Sequence, residues 1–199
     1  MPPARLERWV ANFSDRHGGV ELAVADGRLL GSAPDGSTFT AALPFGASWA
    51  GDPDPAALAG AAVAPGEWGL LLVRKGGFAV ARVAGEVLVA HKVGQRHVQG
   101  RTKAGGQSQQ RFARRRDKQA REAYEAAADH AARVLDRVVP AGPVVTGGDR
   151  TAVAEVLTDP RLRGLRVVEP WLAVPDPRRR VLDQALLDAL AVQVTVTNA

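Results

Sequence analysis

The chain has no cysteine. That excludes a disulfide framework and any thiolate metal site. No apolar run approaches the length of a membrane span. The opening Met1-Pro2-Pro3-Ala4-Arg5 has no hydrophobic stretch of the signal-peptide kind, so the cytoplasm is the expected compartment. Internal repeats and long low-complexity tracts are missing. No carboxylate cluster accompanies the histidines, so neither a metal nor another cofactor is expected. A nucleophile-elbow pattern is absent as well.

Acidic residues are scarce in one place above all. Between Lys92 and Arg121 stand ten cations and a single acid, Asp117. That window therefore carries +9, which leaves −4 on the remainder against the formal +5 of the whole chain. Such concentration points to a polyanionic partner, because phosphate contacts release counterions and supply most nonspecific affinity. The plain alternative is a solvated helix face.

At 199 residues, 46% of them hydrophobic, the chain can bury a real core. Leu6, Trp9, Val10 and Phe13 recur at helical spacing, which predicts a helix over 4–17 stopped by Gly18-Gly19. Short strands are expected at 20–24, 28–30 and 38–45, with Asp26-Gly27 as a turn. Residues 51–66 read as a loop or linker with a short helix from Pro55, separating a possible N-terminal subdomain (1–50) from a main domain (67–199). A β-meander is expected over 67–92, turning at Lys75-Gly76-Gly77 and Ala84-Gly85, with a short strand at 95–99. Phe112 to Val138 predicts the longest helix, with Phe112, Tyr124, Ala127, Ala128, Ala131, Leu135 and Val138 as its apolar stripe. A βαβα tail follows: a strand at 143–146, a helix capped by Asp149, a strand from Leu165, and a last helix from Asp176-Pro177 to Val192. The fold class is α/β, with helices flanking a mixed (α+β) sheet.

Gly100 to Arg116 reads GRTKAGGQSQQRFARRR. Its first half suits a reaching loop over 100–110, since Gly105-Gly106 has no Cβ to obstruct a close approach. Gln107 offers an uncharged amide with two donors and one acceptor. The second half reads as a stiff basic stem. Arg101, Lys103, Arg111, Arg114, Arg115, Arg116 and Lys118 are the candidate phosphate contacts. His91 and His97 read as surface or RNA-facing residues, and His17 and His130 as packing residues inside helices. Gly147-Gly148 before a helix could cradle a phosphate but lacks the lysine of a P-loop, which favours a structural turn.

Gly105-Gly106-Gln107-Ser108, followed by Arg111-Phe112-Ala113-Arg114, resembles the GGQ loop and following helix of the middle domain of eukaryotic and archaeal peptide-chain release factors. The compact setting is more similar to the Vms-like release factors, peptidyl-tRNA hydrolases that act on stalled chains held by the large ribosomal subunit. The element order from about Glu67 to Val192 is compatible with that middle domain, and the first 50 residues add little.

The resemblance implies a catalytic Gln107 presented by Gly105 and Gly106. Its amide would orient a water and its backbone N–H would meet the oxyanion, while ribosomal RNA supplies the rest of the site. A neutral residue suits a pocket walled by phosphates, where a carboxylate would be repelled. Gln109 is the second candidate, because Gly106 to Gln109 also satisfies the GxxQ pattern of Vms-like proteins. Gln109 and Gln110 depart from the small or apolar residues usual in release factors. The expected activity is release of nascent chains from stalled large subunits without a stop codon. The expected partners are the large ribosomal subunit, peptidyl-tRNA and ribosomal RNA. Two alternatives stand beside it: a nuclease that removes the tRNA 3′ end, and a non-enzymatic RNA- or ribosome-binding module. The oligomeric state is not legible.

Overall fold

A computed structural model of the protein describes residues 1–95, 107–138 and 142–199, with 107–120 described as helical backbone. Helix α1 (Leu6–His17) is followed by strands β1 (Glu21–Ala25), β2 (Arg28–Ser32) and β3 (Thr38–Ala42), and by helix α2 (Pro55–Ala61). Strands β4 (Glu67–Arg74), β5 (Gly77–Ala84) and β6 (Val87–Gln95) precede helix α3 (Gln107–Val134). Strand β7 (Pro143–Gly148), helix α4 (Arg150–Leu157), strand β8 (Arg166–Leu172), helix α5 (Arg179–Ala189) and strand β9 (Gln193–Thr197) follow. The class is α+β, with two sheets. The chain divides into two compact units. One comprises Met1–Ala64, Val168–Pro170 and Leu186–Ala199; the other comprises Pro65–Val167 and Trp171–Ala185.

The first unit is a sheet in the order β1-β2-β3-β9, antiparallel throughout. Asp26 and Gly27 join β1 to β2 with φ of 50° and 70°, the left-handed pair that a primed two-residue hairpin needs. Leu6, Val10 and Phe13 form the buried face of α1 and pack with Leu29, Phe39, Ala41 and Leu58. Phe39 is the hub: Trp9 and Phe13 both meet it edge-on, with ring centroids 5.1 Å away. Its ring also lies over its cross-strand neighbour Gly31, in the space a Cβ would take. The amino group of Met1 donates to the Val192 carbonyl at 2.7 Å, and the Val192 N–H returns a bond to Met1 at 3.0 Å.

Strand β9 differs from the sequence-based expectation. The last helix ends at Ala189 instead of Val192, and Gln193–Thr197 extends the first unit's sheet instead of closing the 67–199 domain. Its pattern explains why: Val194, Thr195, Val196 and Thr197 are all β-branched, stiff in the extended form, and alternate apolar with polar. Val194 and Val196 stand opposite Ala41 and Phe39.

The second unit is a mixed sheet in the order β6-β5-β4-β7-β8. Strands β4, β5 and β6 form the expected antiparallel meander, and β7 returns parallel to β4. Trp68 to Val73 are all buried, so β4 has both of its faces covered. Leu71, Val73, Phe78 and Val80 meet α3, through Ala127, Ala128, Ala131 and Leu135, and α4, through Ala152, Val153 and Val156. Leu70, Leu72, Ala79 and Ala81 alternate with them on the opposite face and are fully buried. Alanine on α3 allows close approach, and Leu135 sits over the bare Cα of Gly69.

Replacing Gly31 with Ala should destabilise the protein by about 1–3 kcal/mol, since the new methyl meets the Phe39 ring. In Gly31→Ala/Phe39→Leu the two losses should sum to less than their separate values, measured by chemical denaturation. Strict additivity would show that the ring does not occupy that space.

Candidate functional site

The site begins where β6 ends. Gln95 pairs with Gly77, so β6 finishes beside the Lys75-Gly76 turn. Asp149 lies at the same end, its N–H bonded to the Val73 carbonyl at 2.8 Å. Residues 96–106, which include His97, Arg101, Lys103, Gly105 and Gly106, lie outside the described residues. The described chain resumes at Gln107, the first residue of α3.

Helix α3 therefore starts at Gln107 instead of Phe112, and 107–110 is its first turn instead of part of a loop. No glycine or proline follows Gly106 for many residues, and Gln, Arg and Ala are sound helix formers. This placement has chemical consequences. The first four N–H groups of a helix have no acceptor within it, which is what makes a helix start a general place for an anion. Helix polarity adds partial positive charge there, and no acid stands in the first turn.

The two halves of α3 do different work. Ala123 is buried, and Ala127, Ala128, Ala131 and Leu135 pack against the sheet and α4. His130 stacks on Phe78 with centroids 5.4 Å apart, and Phe78 pairs with Gly94, next to the end of β6. Ala123 is the buried residue nearest the helix start among the described side chains. From there back to Gln107 is about 24 Å at roughly 1.5 Å per residue. Positions 111, 114, 115, 118 and 121, all Arg or Lys, share one stripe by helical register, largely opposite the positions of Ala123, Ala127 and Ala131. Arg116 is in register with Ala123 and Ala127 instead. The expected stripe holds for Tyr124, Ala127, Ala128, Ala131, Leu135 and Val138, although the last two lie just beyond the helix end at Val134.

Other sequence candidates resolve simply. Gly147 and Gly148 end β7, where a Cβ on either would strike the carbonyl of Leu172 or Val73. Asp149 then caps α4, accepting from the N–H groups of Thr151 (2.9 Å) and Ala152 (3.2 Å). Its carboxylate thus takes the place a phosphate would need, so the glycines serve packing. His17 bonds Asp35 at 2.7 Å in the first unit. His91 is exposed on β6 and its Nε2 lies 2.9 Å from Arg179 Nη1, a contact that sequence reading missed. Among the described residues no group of three or more His, Asp or Glu could hold a metal ion, and no helix is long and apolar enough to cross a membrane.

Burial, then Arg133 and Lys92, lower the pKa of His130 below its ordinary 6.5. The fold thus favours the neutral ring. Its contribution is present above the unfolded value and is lost as pH falls through the folded one. His130→Gln should reduce the loss of stability as pH falls below about 6.5, read from urea midpoints. An unchanged loss would remove His130 as its source.

No curated protein matches the chain. Residues 66–195 match the family described as the Actinobacteria/chloroflexi VLRF1 release factor. The match takes in the whole meander, the Gly-Gly-Gln stretch and α3 through β8 and α5. A role of release-factor type in translation, ester hydrolysis on peptidyl-tRNA, and interaction with the ribosome come with it. The chain belongs to the Actinobacteria/chloroflexi VLRF1 release factor family.

Proposed function

We propose that this protein is a peptidyl-tRNA hydrolase that frees nascent chains from stalled large ribosomal subunits, independently of a stop codon. The observation that carries the reading is the position of Gln107. It follows Gly105-Gly106 directly and opens a long basic helix within a release-factor family.

In this reading a water oxygen attacks the ester carbonyl of peptidyl-tRNA. The bond from that carbon to the ribose oxygen breaks, the peptide leaves as an acid, and the proton goes to the ribose hydroxyl. The Gln107 carboxamide orients the water, and its neutrality keeps it compatible with surrounding phosphates. The N–H groups of the first turn of α3 suit the developing oxyanion, since they lack helical acceptors and sit at the positive end of the helix. Positions 107 and 109 lie roughly 200° apart around the axis, so one ester engages one of the two. Gln107, at the open end and next to the glycines, is that residue, with Gln109 as the rival. Arg101, Lys103, Arg111, Arg114, Arg115, Arg116 and Lys118 hold phosphates of tRNA and ribosomal RNA and set position without reading sequence.

Gln107→Ala should still bind large subunits loaded with peptidyl-tRNA but release peptide at least about 100-fold more slowly, the scale expected when a positioning group is lost. Equal release would take Gln107 out of the mechanism, and Gln109→Ala then tests the rival. An intact 3′ end on the freed tRNA is expected; a shortened one would turn the reading to nuclease action. Replacing Arg114, Arg115 and Lys118 with Gln should flatten the log–log salt dependence of subunit binding by about 2. An unchanged slope would reject them as phosphate contacts.

A further inference from the structure

Two bare glycines shape the sheet face beneath α3. Leu135, at the end of the helix, fills the space over Gly69 of β4. Gly94 of β6 is opposite Phe78 in the β5–β6 register, and a Cβ on Gly94 would fall within the Phe78 ring. The ring therefore lies over Gly94. His130 of α3 stacks on that same ring, with the planes 26° from parallel. Arg133 Nη2 donates to His130 Nδ1 at 3.1 Å, and Arg133 Nε donates to the Asp129 carbonyl at 3.1 Å. The imidazole is thus held in its stacked orientation by a neighbour on its own helix.

This contact differs in kind from the alanine contacts beside it. Ala127, Ala128 and Ala131 bring the helix close to the sheet, but methyl groups form low ridges that resist sideways movement weakly. Larger side chains act on the two flanks. Positions 124 and 130 lie roughly 120° apart around the axis, with position 127 between them. Tyr124 is on the α4 side, where the charges of Asp149 and Glu155 act on it. His130 is on the β6 side, where the charge of Lys92 acts on it. Leu135 fixes the end of the helix, so the His130–Phe78 stack is its stop against swinging towards β6.

The length of α3 magnifies that contact. From Leu135 to His130 is about 7 Å along the axis, and from Leu135 to Gln107 about 42 Å. A sideways shift of about 0.5 Å at His130 becomes roughly 3 Å at Gln107, whereas misplacing a reacting group by about 1 Å can cost 100-fold in rate.

We infer that His130 and Phe78 are positioning residues for peptide release: their stack fixes the direction of α3 and so the place at which Gln107 meets the ester. This inference rests on the hydrolase reading above and deepens it.

The test has two readouts. The chain has no cysteine, so spin labels on Val87→Cys, exposed on β6, and on Gln110→Cys, in the first turn of α3, report the direction of the helix. The labelled protein should give one narrow distance distribution. His130→Ala and Phe78→Leu should shift or broaden it by about 2 Å or more. His130→Phe keeps a ring on the ring and should leave it as it was. The second readout is peptide release from loaded large subunits by the unlabelled protein. His130→Ala should lower the maximal rate about 10-fold with half-saturation by subunits unchanged, and His130→Phe should retain most of the rate. Val83→Ala removes buried methyls on the sheet face away from α3 and controls for lost stability, so it should leave the rate alone.

A broad distribution before any of these substitutions overturns the inference. So does a distance or a rate that His130→Ala leaves unmoved, or a rate that Val83→Ala lowers equally. Release separates the two readings. If the unsubstituted protein releases peptide and His130→Ala changes neither readout, this inference fails and the hydrolase stands. If the unsubstituted protein releases none, the hydrolase reading fails, and the distances alone decide whether the stack directs the helix.

Discussion

Close packing of an alanine face against a doubly buried strand is the constraint on which the second unit depends. Ala127, Ala128 and Ala131 let α3 settle on Leu71, Val73, Phe78 and Val80, and Leu135 fills the space over Gly69. Alanine loses no side-chain entropy in a helix, and its small volume brings backbone close to backbone. Roughly half of α3 is held in this way. The basic positions 111 to 118 precede Ala123, the first buried residue of α3 among the described side chains. Packing energy and charge repulsion are thus separated in space on one element.

The same separation shapes the proposed chemistry. A release factor needs a small, uncharged group delivered into a region of high phosphate density. In the proposed reading glycine and glutamine would supply that group, and the arginines that follow them in the sequence would hold the phosphates. Asp149 illustrates the contrast at the neighbouring helix. There the N-terminal N–H groups of α4 are already bonded to a carboxylate, whereas the first turn of α3 holds no acid. The two helix starts thereby differ in whether a carboxylate stands beside them.

Much of this was legible in the sequence. The meander was visible because Glu67–Arg74 and the two glycine turns are local signals, and β4 matches its expected limits. The Asp149 cap and the Asp26-Gly27 turn were local signals too. What escaped depended on distant partners. Gln193–Thr197 alternates plainly, but no strand is expected there from the sequence because nothing local says that β3 needs a neighbour. The start of α3 falls later in the sequence reading because Gly105-Gly106 marks a loop whose end no apolar residue announces before Phe112. The contact of Arg179 with His91 joins residues 88 apart in sequence, so no local signal could announce it. The family resemblance rested on the Gly-Gly-Gln stretch and the Arg-Phe-Ala-Arg after it, and the family match spans that region.

Strand β9 has a consequence for biosynthesis. Strands β1, β2 and β3 are translated early, yet the edge of β3 acquires its neighbour only when Gln193–Thr197 has been made. Until then Phe39 and Ala41 lack Val196 and Val194 beside them, and an open edge is exposed to unwanted pairing. The unit translated first is therefore completed last. The intervening residues, which hold the whole meander, α3 and α4, can fold while it waits.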